Sequence, residues 1–338
     1  MQETVKKIGS IMLIIFLLAS TAGWAQKTPA QTKDNKTLIG VSIMELTAYT
    51  WFLGVIDGCK QWASEHPEAN FTFQFEDSHS DVQTMLNNIE NLLAAGAKGI
   101  ILFPADASSA IPTMKQAVAK GIPFVIGDYK QQPAKPSDAV WATFVGHDMR
   151  ALGVVAGKIA VDYLKTLNKP NPVCLFVSRP TSGQVSKDRF EGFRDTVLAS
   201  FPKAKVIEEG DVGAGNRASS QDLVENVLKR EPVIDVISGH NDAEVVGAYN
   251  AAVSQKRTNI KFIGIAGDKD VLSFISKGNP AWIGEVLQDP VVLGYQATDA
   301  MYRALKGEKL PETYNLPLPE AITPANIKNY NWQSWSWL

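Results

Sequence analysis

Residues 99–128 read GIILFPADASSAIPTMKQAVAKGIPFVIGD, and the rhythm of this stretch decides the fold. A short apolar run, Gly99–Phe103, gives way to a helical pattern over Ser108–Lys120. Gly121 stands where a helix C-terminus needs it, and a second apolar run, Pro123–Gly127, leads into Asp128. Strand, amphipathic helix, strand is the unit from which parallel sheets with helical crossovers are built.

The same unit recurs on both sides. Upstream, strands are expected at Leu38–Met44 and Phe71–Phe75, with helices at Thr50–Glu65 and Asp81–Ala95, the latter opened by a capping box of Ser80 and Gln83. Downstream, a second series places strands at Val173–Val177, Lys205–Glu208, Val233–Ser238, Lys261–Ile265 and Trp282–Leu287. Helices are expected at Met149–Leu167, Lys187–Ser200, Gln221–Lys229, Ala243–Ser254 and Pro290–Leu305. Two series imply two sheets, joined around the apolar run Ala142–Gly146, and the Pro-rich stretch Leu310–Pro324 reads as a late crossing segment. The fold class expected is α/β, with two doubly wound parallel-sheet lobes.

At the start of the chain, Lys6 and Lys7 precede the apolar run Ile11–Ala19, and Gly23-Trp24-Ala25 supplies small residues at a cleavage site. Residues 1–25 therefore read as a signal peptide cut after Ala25, with a polar tail over 26–36, and the mature chain as periplasmic. The apolar run is too short to span a membrane comfortably, and no cysteine follows it to carry a lipid. The 33 basic and 35 acidic residues give a net charge of −2, which argues against a nucleic-acid partner. Cys59 and Cys174 are the only thiols. In an oxidising compartment they read either as a disulfide or, better with their apolar surroundings, as two buried small hydrophobes.

In open parallel α/β sheets ligands sit beyond the carboxyl ends of the strands. Applied here, that rule collects Trp51 and Phe52 after the first strand and Asp128-Tyr129 after the fourth. It adds Ser182 and Arg189 after the Cys174 strand, His240-Asn241-Asp242, Asp268, and Gln288-Asp289. An aromatic face covers the apolar side of a sugar ring, while carboxylates and guanidinium forks hold vicinal hydroxyls. Each residue also has a plainer reading. Trp51 and Phe52 open a helix, so one of them belongs to the core; Asp128 could cap a turn; Arg189 could be a solvated helix charge. Asn241 could cap the next helix, alone or while touching ligand, with Asp242 the competing cap.

Across about Thr37 to Ala321 the chain resembles the type I periplasmic binding proteins of the ribose and galactose class, the substrate-binding proteins of sugar ABC transporters. The resemblance rests on Leu38-Ile-Gly-Val-Ser-Ile43 with Trp51-Phe52 and Asp57-Gly58, and on Gly121-Ile-Pro-Phe-Val-Ile-Gly-Asp128. Arg189-Phe-Glu-Gly-Phe193, Gly239-His-Asn-Asp242 and Phe262-Ile-Gly-Ile265 complete it. It implies ring-stacking at Trp51 and Phe52, hydroxyl binding by Asp128, Arg189 and Asn241, and a hinge-side Gln288. It departs from the family at Tyr129, where sugar binders often have Arg, and at Ala266, where ribose binders have Asp and where Asp268 is the nearest substitute. The resemblance further implies a three-segment hinge, with lobes at 37–145 plus 289–318 and 146–288 plus 319–338. Its ligand would be a small sugar or polyol, and its partner an ABC importer permease, or alternatively a sensor kinase or chemoreceptor.

Enzyme signatures are missing: there is no G-x-S-x-G, H-E-x-x-H or C-x-x-C. Gly153–Lys158 lacks phosphate-loop spacing and lies in a helical pattern, so it reads as core packing; Gly210–Gly215 reads as a turn. Histidines 66, 79, 147 and 240 have no ligand spacing. The expectation is a binding protein without metal, cofactor or catalysis.

Overall fold

A computed structural model describes residues 36–47, 50–128, 140–210 and 216–338. The expected signal segment, Tyr129 and residues 211–215 of the glycine-rich turn lie outside the described residues.

The first lobe runs β1 (Thr37–Ile43), α1 (Trp51–Glu65), β2 (Phe71–Asp77), α2 (Val82–Ala94), β3 (Gly99–Phe103), α3 (Ala107–Val118), β4 (Phe124–Asp128) and β5 (Thr143–Gly146). The second runs α4 (Met149–Thr166), β6 (Val173–Ser178), α5 (Gln184–Ser200), β7 (Lys205–Gly210), α6 (Arg217–Arg230), β8 (Val236–Gly239), α7 (Asp242–Ser254), β9 (Lys261–Ala266), α8 (Lys269–Ser276) and β10 (Trp282–Leu287). Then α9 (Pro290–Leu305) and β11 (Thr313–Asn315) return to the first sheet, and β12 (Glu320–Ile322) joins the second. The sheet orders are β11-β5-β4-β3-β1-β2 and β12-β10-β9-β8-β6-β7. Every pairing is parallel except β10 with β12. The chain passes between the sheets after β5, β10 and β11.

The strands read as unbroken apolar runs because both of their faces are covered. Ile39, Val41, Ile43, Ile101 and Phe103 enter one core with Val55 of α1 and Leu293 of α9, whereas Ile100, Leu102, Phe124 and Ile126 enter another with Ile89 of α2 and Met114 of α3. The second sheet divides likewise. Leu175, Val177 and Ile237 face α6, α7 and α8, while Cys174, Phe176 and Ile263 face α4 and α5. Each such fully buried Ile, Leu, Val or Phe contributes about 1.5–3 kcal/mol.

In each lobe helices meet backbone to backbone. A Cβ on Gly58 of α1 would stand 2.0 Å from Val291 O of α9, and one on Gly153 of α4 would stand 2.0 Å from Arg189 O of α5. The glycines of 153–158 thus serve packing.

Two local readings are corrected. Asp81, not Ser80, caps α2, accepting from Thr84 N; Ser80 has φ 57°, which does not suit the extended N-cap position. The eight-residue α8 was not anticipated, because Val271, Leu272 and Ile275 give too short an apolar face to register as a periodic pattern. Cys59 and Cys174 are both buried and free, and burial pushes each thiol up to about 12. Among the described residues no helix is long and apolar enough to cross a membrane.

Candidate ligand-binding cleft

A cavity of about 600 Å³ lies where the carboxyl ends of the two sheets face each other. From the first lobe it is lined by Met44 beyond β1, Trp51 and Phe52 of α1, Asp106 beyond β3 and Asp128 at the end of β4. From the second it is lined by Met149, the segment 181–185 with Arg179, Arg189, His240 and Asn241 beyond β8, Ala266 at the end of β9, and Gln288 beyond β10. Strand order alone brings these residues together, since every parallel strand delivers its following loop to the same edge.

Gln288, buried in the crossing from β10 to α9, links the two halves. Its Oε1 accepts from Arg189 Nη2 at 2.7 Å, its Nε2 donates to Asp128 Oδ1 at 3.5 Å, and its carbonyl accepts from Trp51 Nε1 at 2.8 Å. Arg189 also donates through Nη1 to His240 O, and its buried Nε has no partner among the described residues. Burial pulls Arg189 down to about 10, against the opposing attraction of Asp128, so it stays cationic at neutral pH. Burial pushes Asp128 up to about 6, opposed by Arg189 and by the hydrogen bond from Gln288. The two imidazoles nearby are neutral: burial and Arg189 hold His147 at about 3, and burial with Arg189 and Arg179 holds His240 well below the usual range.

The aromatic pair divides the labour in an unexpected way. Phe52 packs edge-on against Phe103 of the core and is 4% exposed, yet it still lines the cavity beside the less buried Trp51. Asn241 both lines the cavity and caps α7, its Oδ1 accepting from Ala243 N while Glu244 reaches back to Asn241 N in a capping box. Asp242 does not compete for that cap; it points into the lobe. Asp106 is engaged in capping α3 through Ser108 N and Ser109 N.

Asp268 is placed elsewhere. It does not line the cavity, because its Oδ1 caps α8 through Asp270 N and its Oδ2 pairs with Arg217 at 3.2 Å. The turn that carries it away from the cleft is fixed from behind. Asp242 Oδ2 accepts from Gly267 N and Asp268 N, and Glu285 Oε1 accepts from Gly267 N at 2.9 Å. Ala266, with φ 140°, lines the wall in place of Asp268 and brings no polar side chain to it. Asp242 and Glu285 stand side by side behind the turn, and burial raises both carboxyls, with Asp268 raising Asp242 further and Asp242 raising Glu285 further.

Sequence reasoning missed Arg179, Met44 and Asp106. All three stand within three residues of a strand's carboxyl end, so the rule that found the others could have found them. It also did not gather Glu45, Asp77 and His79, whose side chains approach within 4.8 Å. The Asp77 oxygens there accept from Leu46 N and His79 N, binding two loops together.

A model of the periplasmic binding protein domain matches residues 39–309. The chain belongs to that family. Relatives similar to it in sequence include the ribose import binding protein of Bacillus subtilis, 25% identical over 319 residues that cover 93% of this chain and 98% of that protein. The xylitol-binding protein of Mycolicibacterium smegmatis is 26% identical over 316 residues, covering 92% and 83% of the two chains. Among solved structures, a periplasmic solute-binding protein from Actinobacillus succinogenes with bound D-allose matches with a TM-score of 0.74 at 18% identity, covering 87% of this chain and all of that one. The fold of this periplasmic binding protein is therefore shared well beyond the range of close sequence likeness.

Proposed function

We propose that this protein is a periplasmic receptor for a small neutral sugar or polyol, exported by residues 1–25, that closes its lobes on the ligand and presents the closed form to an ABC importer permease. The observation that carries the reading is the cleft itself: aromatic faces at Trp51 and Phe52, with Asp128, Arg189, Asn241 and Gln288 contributed by loops of both sheets. A ligand touching both walls favours the closed form, because only closure brings both halves of the site to it. The lobes, 37–145 with 289–318 and 146–288 with 319–338, would then turn about the three crossings, and no group in the site is asked to do chemistry. Relatives named for ribose and xylitol, and neighbours solved with D-allose or myo-inositol, support a polyhydroxylated ligand.

The test is native mass spectrometry of the freshly purified mature protein, followed by thermal-shift titration with D-ribose, D-allose, xylitol and myo-inositol. At a ligand concentration one hundred times Kd, binding stabilises the folded state by about 2.7 kcal/mol. The reading expects a co-purified ligand mass or a clear rise in Tm with at least one of these compounds. Neither a bound mass nor a shift across the set would remove it.

A further inference from the structure

We propose that Arg179 is a ligand-contacting residue that sets specificity, donating to an acceptor oxygen of a neutral sugar, and that Glu244 is its positioning residue. This rests on the sugar-receptor reading above and extends it to a residue outside the expected set.

The backbone of Arg179 is pinned where β6 ends. Its N–H donates to Ser186 Oγ at 2.8 Å, and Pro180 opens a 3₁₀ turn immediately after it. The side chain forms part of the cavity wall and keeps 14% of its surface exposed. Behind it stands Glu244, whose side chain is fully buried. Arg179 Nε donates to Glu244 Oε1 at 2.6 Å, while Glu244 Oε2 receives Asn241 N at 3.3 Å. Arg179 Nη2 lies 3.5 Å from Asn241 Oδ1, so one buried carboxylate orients both the guanidinium and the asparagine beside it. A guanidinium presents only donors, in a rigid fork. The described lining of the second lobe holds two such groups, Arg179 and Arg189, and no carboxylate, so its wall recognises acceptor atoms.

Charge then narrows the ligand class. Arg189 is balanced across the cleft by Asp128, and Arg179 from behind by Glu244. The other carboxylate at the wall, Asp106, is turned to the α3 N-terminus. Each cation already has its anion, so a carboxylated sugar would bring unmatched negative charge into a desolvated site. A hydroxyl accepting from Arg179 adds none. The class expected is a neutral polyhydroxylated ring or chain, with its aldonate disfavoured.

The experiment is calorimetry on full-length mature protein with D-ribose, D-allose, xylitol, myo-inositol and D-ribonate, using wild type, Arg179→Met, Arg179→Lys and Glu244→Gln. Arg179→Met should weaken the neutral ligand that wild type binds at least ~10-fold. Arg179→Lys, which keeps charge without the fork, should fall in between and carries the test if the methionine variant does not fold. Glu244→Gln should shift the neutral-to-ribonate affinity ratio toward ribonate, a change that a purely structural role would not produce. Unaltered affinities for both Arg179 variants, or an unaltered ratio for Glu244→Gln, overturn this inference alone. A wild type that binds none of the five overturns it together with the receptor reading.

Discussion

Asp128 stands at the end of β4 with its carboxyl pushed up to about 6 by burial, even though Arg189 and Gln288 pull the other way. Below its unfolded value of 3.8 the group is protonated whether the chain is folded or not. Between 3.8 and about 6 the unfolded chain ionises first, so the contribution of Asp128 to stability falls as pH rises through that window and stays low above it. Asp128→Asn keeps the shape and removes the charge. It should raise the stability of ligand-free protein at pH 7 by about 3 kcal/mol, since a shift of one pKa unit corresponds to ~1.4 kcal/mol. Urea unfolding should show that gain shrinking as the pH is lowered to about 4. The same substitution should weaken sugar binding about 30-fold, because a charge-assisted acceptor is lost. Wild-type affinity, measured by calorimetry, should itself decline once the pH drops below about 6, where the empty site takes up a proton. An asparagine variant less stable than wild type at pH 7 would show that Arg189 outweighs desolvation here. The residues that sequence placed in the cleft, Trp51, Phe52, Asp128, Arg189, Asn241 and Gln288, were legible because their position depends only on strand order. The placement of Asp268 was not, because it depends on partners remote in sequence, the turn before it being tied to Asp242 and Glu285; Arg179 was within reach of the strand-end rule, but its aim by Glu244 was not.

The same dependence governs the turn between β9 and α8. Its Gly267 N–H is buried, and both of its acceptors, Asp242 Oδ2 and Glu285 Oε1, are buried carboxyl oxygens. Their other oxygens, Asp242 Oδ1 and Glu285 Oε2, converge on Gly264, where a Cβ would lie 2.3 and 1.9 Å from them. A proton held between the two acids, chiefly on Glu285, lets the turn keep both acceptors without two adjacent buried negative charges. Glu285→Gln imitates the protonated acid, with an amide N–H where the shared proton sits, and should leave the urea midpoint at pH 7 within about 1 kcal/mol of wild type. Glu285→Ala strips away one acceptor and the proton bridge together and should cost about 2–3 kcal/mol. A large loss in the glutamine variant would mean that Glu285 works as an anion. The strands β9 and β10 and the helix α7 around this turn were readable from their apolar patterns, whereas the short α8 that follows it was not. The turn was not readable, since its geometry is set by acids on α7 and β10.

At the scale of the molecule, the lobes are joined by more than the three crossings. After β12 the chain packs Ile327 and Trp332 into the second lobe's core, with Tyr330, Trp335 and Leu338 against it. Trp337, stacked on Trp335 with ring centroids 4.8 Å apart, belongs to the other side. It is 6% exposed, and a Cβ on Gly54 of α1 would stand 2.7 Å from its ring and 2.5 Å from Pro290 of α9. Its carbonyl accepts from Thr50 Oγ1 at 2.8 Å, one residue before Trp51 of the cleft, and Ser336 Oγ donates to Asp57. Residues 327–338 thus bridge the second lobe's core to the first lobe's α1 and α9. Trp337→Ala removes the buried end of that bridge, and truncating a buried tryptophan costs about 3–5 kcal/mol. The ligand-free variant should unfold at a correspondingly lower urea concentration, and its radius of gyration by small-angle scattering should rise above wild type as the lobes lose one of their ties. Ser336→Ala, which touches only an exposed pair, should change stability by no more than about 0.5 kcal/mol. An unchanged midpoint and radius for Trp337→Ala would mean that the segment rests on the first lobe without holding it, leaving the three crossings as the sole mechanical link between the walls of the cleft.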